Sequence, residues 1–145
     1  VNVLVDTSVW SLALRSAFLQ GESLPVVEEL RELIVEGRAE LMGPVRQELL
    51  SGLSDNAQFL RLRERLRAFP DHIMLMEDYE LAAEWYNACR KKGVQGAQVD
   101  FLICAVAANH DLSIFTTDKD FMRYQAICPI RLHPVRPELS GPPPK

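Results

Sequence analysis

The chain opens with Val1-Asn2-Val3-Leu4-Val5, short, apolar and β-branched, and then turns polar at Asp6-Thr7-Ser8, three good helix N-cap residues. This pattern predicts a buried strand running directly into a helix that extends to about Phe18. A second helix is expected from Pro25 to about Glu36, with proline in its first turn and Gly37 closing it. Ala39-Glu40-Leu41-Met42 reads as a short strand. Gly43-Pro44 then starts a helix with Val45, Leu49 and Leu53 on one face. From Asn56 to Phe69, the apolar spacing Phe59, Leu62, Leu66, Phe69 follows a helical period, and Pro70 ends it. His72 to Met76 reads as a third strand, and Asp78 as the cap of a helix to about Lys92. Gly93 and Gly96 interrupt the chain before Ala97–Asn109, which is apolar nearly all round and predicts a buried helix. A fourth strand, Ser113–Thr117, leads to a short helix near Asp118–Tyr124. Ile127–Leu132 completes the series as an edge strand, because Pro129 suits no central position.

Apolar strands separated by helical segments predict an α/β fold, with a central, mainly parallel sheet of about five strands and helices on both faces. At 145 residues one domain is the expectation, over residues 1–133, with no internal repeat. Residues 134–145 hold five of the nine prolines and read as a flexible tail. The longest apolar run, Phe101 to Ala108, is eight residues, against the roughly 20 needed to span a bilayer. An acid at position 6 argues against a signal peptide. Cys89, Cys104 and Cys128 are odd in number and lack metal or disulfide spacing, which suits a reducing cytoplasm. The net charge of −4 speaks against coating nucleic acid through bulk charge. It leaves room for an enzyme that grips a phosphodiester through a bound cation.

Ligands of open α/β sheets bind beyond the carboxyl ends of strands, where Asp6, Asp118 and Asp120 fall. Asp100 stands in the first turn of the most apolar helix, where an ionised carboxylate needs a partner or a cation. Glu48 borders the apolar face of the third helix. Each acid also has a plain structural reading: Asp6 and Asp118 as N-caps, Asp120 closing a capping box with Thr117, Glu48 as a solvated side chain.

Together they resemble a known pattern. Leu4-Val5-Asp6-Thr7-Ser8-Val9-Trp10 resembles the first motif of PIN-domain ribonucleases, and Val45-x-x-Glu48-Leu49 the second. Asp100-Phe101-Leu102-Ile103-Cys104-Ala105 resembles the third, and Thr116-Thr117-Asp118-Lys119-Asp120-Phe121 the fourth. The small size is most similar to VapC-type toxins of toxin–antitoxin pairs. The resemblance implies a PIN-like fold and a metal-dependent endoribonuclease using Mg²⁺, with Mn²⁺ as a substitute. It implies Asp6, Glu48, Asp100 and Asp118 as the catalytic acids and metal ligands, Ser8 as a supporting hydroxyl, and Asp120 as a supporting acid. It further implies an RNA substrate, a cognate antitoxin and a homodimer. Hard oxygen ligands suit such cations, and clustered like charges need one to stay ionised together.

Lys119 and Arg123 flank the fourth motif and are candidates for phosphate contacts. Arg61, Arg63, Arg65 and Arg67 read first as a solvated face. Trp10, Leu12 and Leu14, with Leu30, Ile34 and Val35, form either ordinary core or the groove that an antitoxin segment fills. His72, His110 and His133 stand in no triad-like context and read as surface or satisfied histidines. An aspartate-nucleophile phosphatase would want a second Asp where Ser8 stands. Two further alternatives are a receiver-like phospho-acceptor, for which Met74-Leu75-Met76-Glu77-Asp78 is a weak match, and a catalytically silent PIN-like binding module.

Overall fold

A three-stranded parallel sheet in the order β2-β1-β3 forms the centre of the molecule. The computed structural model describes residues 1–14 and 23–137. The central strand β1 (Val3–Val5) is buried at every position, as its continuous apolar run requires. Val3 and Leu4 pair with Ala39 and Glu40 of β2 (Ala39–Glu40). On the other side Val3, Leu4 and Val5 pair with Ser113, Ile114 and Phe115 of β3 (Ser113–Phe115).

Parallel neighbours need long crossovers, and helices supply them. Between β1 and β2 run α1 (Thr7–Leu14) and α2 (Ser23–Val35), which pack on each other. The stretch of the first helix expected to reach Phe18 lies outside the described residues. Gly37 closes α2 with φ +72°, a left-handed backbone that glycine adopts at no steric cost. Between β2 and β3 run α3 (Gly43–Ser51), α4 (Asn56–Leu66), α5 (Met76–Lys91) and α6 (Gln98–Asn109). As its composition predicts, α6 is buried over most of its surface, through Phe101, Ile103, Cys104, Ala105, Val106 and Ala107. A short helix, α7 (Asp120–Gln125), follows β3.

Five strands are expected and three form among the described residues. The two missing strands survive as single bridges on the sheet edges: Asp71 beside Leu41, and Leu132 beside Ile114. In His72–Met76 only Met74 packs against the core, while Ile73 is 76% and Met76 72% exposed. Met76 instead begins α5, because the Asp78 carboxylate accepts a hydrogen bond from Leu75 N at 2.9 Å and shapes the helix start. In Ile127–Leu132, Pro129 has no N–H to donate, and the pairing shrinks to Leu132, flanked by Ile114 N to Arg131 O and His133 N to Ile114 O.

Each histidine is satisfied by a carboxylate: His72 by Glu40, His110 by Asp78, His133 by Glu29. The segment expected to be loose from Pro134 is tied down at Arg136. Its Nε donates to Glu29 Oε2 at 2.9 Å and its Nη1 to Glu36 Oε2 at 2.7 Å. The rest of that tail, residues 138–145, lies outside the described residues. No helix among the described residues is long and apolar enough to cross a membrane.

Candidate metal and phosphodiester site

The sheet register builds the site. Because Val5 pairs with Phe115, the residues one step beyond, Asp6 and Thr116, meet at the carboxyl end of the sheet, with Asp6 N donating to Phe115 O at 2.9 Å. Helix α6 comes immediately before β3 and runs back alongside it, which sets its first turn, with Asp100, at the same end.

Asp6 is only 6% exposed. Its Oδ2 accepts two hydroxyl hydrogen bonds, from Ser8 Oγ and Thr116 Oγ1, both at 2.8 Å. The side chain therefore does not cap α1. The Asp6 carbonyl begins that helix by accepting from Val9 N and Trp10 N. The hydroxyls are themselves fixed: Ser8 Oγ accepts from Thr117 N at 3.0 Å and Thr116 Oγ1 from Asp118 N at 3.0 Å. Asp118 Oδ1 accepts from Asp120 N at 2.9 Å. The capping box expected between Thr117 and Asp120 is absent; Asp118 shapes the start of α7 instead, because its shorter reach to the N–H two residues on closes the turn first.

Asp100 accepts a hydrogen bond from the buried Tyr124 hydroxyl at 2.7 Å. Burial pushes the Asp100 carboxyl up to about 6, and the negative charges of Asp6, Asp118 and Asp120 push the same way, while the Tyr124 bond opposes them. Asp6, Asp118 and Asp120 thus stand near enough for their charges to act on Asp100. Asp6, Asp100 and Asp118 share a further feature: one oxygen of each is engaged, and the other (Oδ1, Oδ1 and Oδ2 respectively) makes no hydrogen bond among the described residues.

The donor set of free carboxylate oxygens, without a neighbouring cationic side chain on Asp6, Asp100 or Asp118, fits a hard divalent ion in chemistry. In spacing it is looser. Among the described residues no three His, Cys, Asp or Glu side chains stand close enough to hold one ion jointly.

Glu48 is not brought into this group. It lies exposed on α3, with no hydrogen bond or ion pair among the described residues. Lys119 is exposed at the start of α7, and Arg123 is paired with Asp120 at 3.5 Å. Sequence reasoning gave no role to Thr116 or Tyr124. Thr116 carried a signal, since it stands two residues before Asp118. Tyr124 carried none, because its partner is 24 residues away.

On the far side of α1, Leu14, Leu30, Ile34, Leu62 and Arg65 line a cavity of about 230 Å³ together with Trp10. Trp10 and Leu30 belong to the core, whereas Leu14, Ile34 and Val35 are exposed. The buried Trp10 Nε1 has no hydrogen-bond partner among the described residues, an uncommon condition for an indole.

The sequence profile of the PIN domain matches residues 3–127. Among solved structures, the fold is similar to FitAcB from Neisseria gonorrhoeae, with 26% identity and a TM-score of 0.71 over 90% of this chain and 95% of that one. It is also similar to VapBC2 from Rickettsia felis bound to a promoter DNA fragment, with 17% identity and a TM-score of 0.72 over 92% and 98%. VapBC-5 of the VapBC toxin–antitoxin family from Mycobacterium tuberculosis is similar at 18% identity and a TM-score of 0.64, over 90% and 96%. No curated protein sequence matches the chain.

Proposed function

The chain belongs to the PIN-domain family, closely related in fold to toxins of the VapBC and FitAB type, and from that premise we propose that it is a metal-dependent endoribonuclease, the toxin of a toxin–antitoxin pair. The observation that carries the reading is the free oxygen on each of Asp6, Asp100 and Asp118 at the carboxyl end of one sheet. In this reading Asp6, Asp100 and Asp118 would close around Mg²⁺, with Mn²⁺ as a substitute, from the wider spacing they have here, and Asp120 supports them. Glu48 enters on the motif Val45-x-x-Glu48-Leu49 alone.

When bound, a divalent cation supplies a nucleophilic water at neutral pH and neutralises charge on the phosphate. The chain's own residues prepare the site. Ser8 and Thr116 fix Asp6 through Oδ2, and Tyr124 fixes Asp100, so these carboxylates stand oriented before an ion arrives. The acids repel an RNA backbone that approaches without a cation. Lys119 and Arg123 offset part of that repulsion at the edge of the site.

The occupant we assign to the Trp10 groove is an apolar segment of a cognate antitoxin. Leu14 and Ile34 offer exposed apolar surface, and Arg65 offers charge to an acidic flank. The toxin itself is expected to act as a homodimer, which sedimentation tests directly.

The deciding experiment is cleavage of a mixed RNA pool by nuclease-free protein. Cleavage should vanish in EDTA and return with Mg²⁺ or Mn²⁺. Undiminished cleavage in chelator refutes the metal-dependent reading. Inert protein in the presence of both ions leaves a silent PIN-like binding module.

A further inference from the structure

We propose that Tyr124 is a positioning residue of the carboxylate site, and that the bare backbone at Gly96 is what keeps its hydroxyl on Asp100. The inference rests on the reading of Asp100 as a cation ligand.

Tyr124 is 0% exposed, and a buried hydroxyl needs a partner. Its partner is Asp100 Oδ2 at 2.7 Å, a length typical of a hydroxyl on a charged acceptor, and this is the one hydrogen bond of the Asp100 side chain among the described residues. The ring has little freedom to leave. Phe101 lies against it with centroids 4.9 Å apart, and Phe121 meets it edge-on at 5.2 Å.

Gly96 closes the remaining side. A Cβ built there would overlap the Tyr124 hydroxyl and stand 2.7 Å from Cζ. Its backbone is not left-handed, so the glycine serves the close approach and not a turn. Any side chain at 96 would press on the flank of the phenol C–O bond and force the ring to shift sideways from its seat.

The consequence for Asp100 parallels that for Asp6. In both acids a hydroxyl occupies Oδ2 and leaves Oδ1 without a hydrogen bond. For Asp6 the hydroxyls come from its own motif and from the neighbouring strand end. For Asp100 the hydroxyl comes from α7, the helix that Asp118 and Asp120 open. Tyr124 thereby links the orientation of the third acid to the element that carries the fourth.

The test compares wild type with Asp100→Asn, Tyr124→Phe and Gly96→Ala, full-length, by Mn²⁺ titration calorimetry, thermal unfolding and RNA cleavage. Phenylalanine fills the same ring volume, so Tyr124→Phe should stay folded. Outer-shell partners of metal ligands typically contribute 10- to 100-fold in affinity, so Tyr124→Phe should bind Mn²⁺ about 10-fold more weakly, and kcat should fall with little change in KM. Gly96→Ala, which retains the phenol but displaces it, should weaken Mn²⁺ in the same sense and keeps the test open if Tyr124→Phe fails to fold. Wild-type Mn²⁺ affinity and cleavage in both variants would overturn the inference while leaving Asp100 as a ligand. Undiminished Mn²⁺ binding by Asp100→Asn would instead overturn the ligand reading, and the inference with it.

Discussion

Thr116 donates its hydroxyl proton to Asp6 Oδ2 at 2.8 Å across 110 residues of sequence, and with the same oxygen accepts the backbone N–H of Asp118. One hydroxyl thus joins the first and fourth acidic motifs. Thr116→Val keeps the shape and removes both bonds. Leaving Asp118 N without its acceptor should cost about 1–2 kcal/mol in urea unfolding. Cleavage should fall more than tenfold because Asp6 loses one of its two tethers. Full activity in the valine variant would show that Ser8 alone orients Asp6.

Asparagine at position 6, 100 or 118 should each remove most cleavage while the protein stays folded. Asp120→Asn should be milder, because its backbone N–H, retained in the variant, already makes the bond to Asp118 Oδ1. A dead Asp120→Asn beside an active Asp118→Asn would exchange their roles. Glu48→Gln is the sharper comparison. Glu48 is exposed and without a partner among the described residues, so a strong loss of activity with unchanged stability requires α3 to supply a ligand when substrate or cation is present.

The Asp100 carboxyl, pushed up to about 6 by burial and by neighbouring acids, gives stability a pH dependence whose sign is opposite to that of a salt-bridged acid. An unfolded chain holds an Asp near 3.9. Between about pH 4 and 6 the native state therefore binds the extra proton, and stability falls as pH rises through that window. In EDTA, Asp100→Asn should match wild type near pH 4 and exceed it in Tm above pH 6.5. Adding Mn²⁺ at pH 7.5 should raise the wild-type Tm and leave the asparagine variant where it was. Parallel Tm profiles for the two proteins from pH 4 to 7.5 would remove Asp100 from the charged cluster.

The places of Asp6, Asp100 and Asp118 in the fold were legible in the sequence, because strand ends and the opening of an apolar helix are where an ionised carboxylate needs a reason to be; Glu48 stands at neither and is exposed on α3. What holds them was less legible. Thr116 reaches Asp6 only because β1 and β3 are neighbours, and strand order is not written in local periodicity. Tyr124 and Gly96 look like an ordinary aromatic and an ordinary helix breaker until packing brings them together. The strand expected at His72–Met76 failed for a related reason. A short apolar run signals contact with something but not repetitive pairing, and the Asp78 carboxylate drew the chain into α5 at Met76. The buried Glu29 on α2 likewise gives no sequence sign that its partners, His133 and Arg136, lie more than 100 residues away.

The groove beside Trp10 predicts a separation of functions. Leu14 and Ile34 are exposed and distant from Asp6 in role, so Leu14→Glu with Ile34→Glu should leave RNA cleavage unchanged. The same pair should abolish neutralisation by the proposed cognate antitoxin, measured as inhibition of cleavage on mixing. Retained inhibition by the double variant would place the antitoxin elsewhere.

Arg136 makes the last prediction the most discriminating for the fold. Glu29 is fully buried, and its carboxylate is held by His133 Nε2 at 2.7 Å, Arg136 N at 3.2 Å and Arg136 Nε at 2.9 Å. The same guanidinium continues to Glu36, whose carboxyl it holds below its usual range. The segment thus reaches back over α2 and closes a network of Glu29, His133, Arg136, Glu36 and Arg38. Removing one partner of a buried ion pair typically costs about 3–5 kcal/mol, because the remaining charge stays desolvated. Arg136→Ala should lie at the lower end of that range, since His133 still serves Glu29. Deleting residues 138–145 removes none of these contacts and should leave urea unfolding within about 0.5 kcal/mol of wild type. The double variant Glu29→Gln with Arg136→Ala should be more stable than Arg136→Ala alone, because the stranded charge is gone. An additive loss in that double variant would mean that Arg136 acts through packing of its stem and not through its charge.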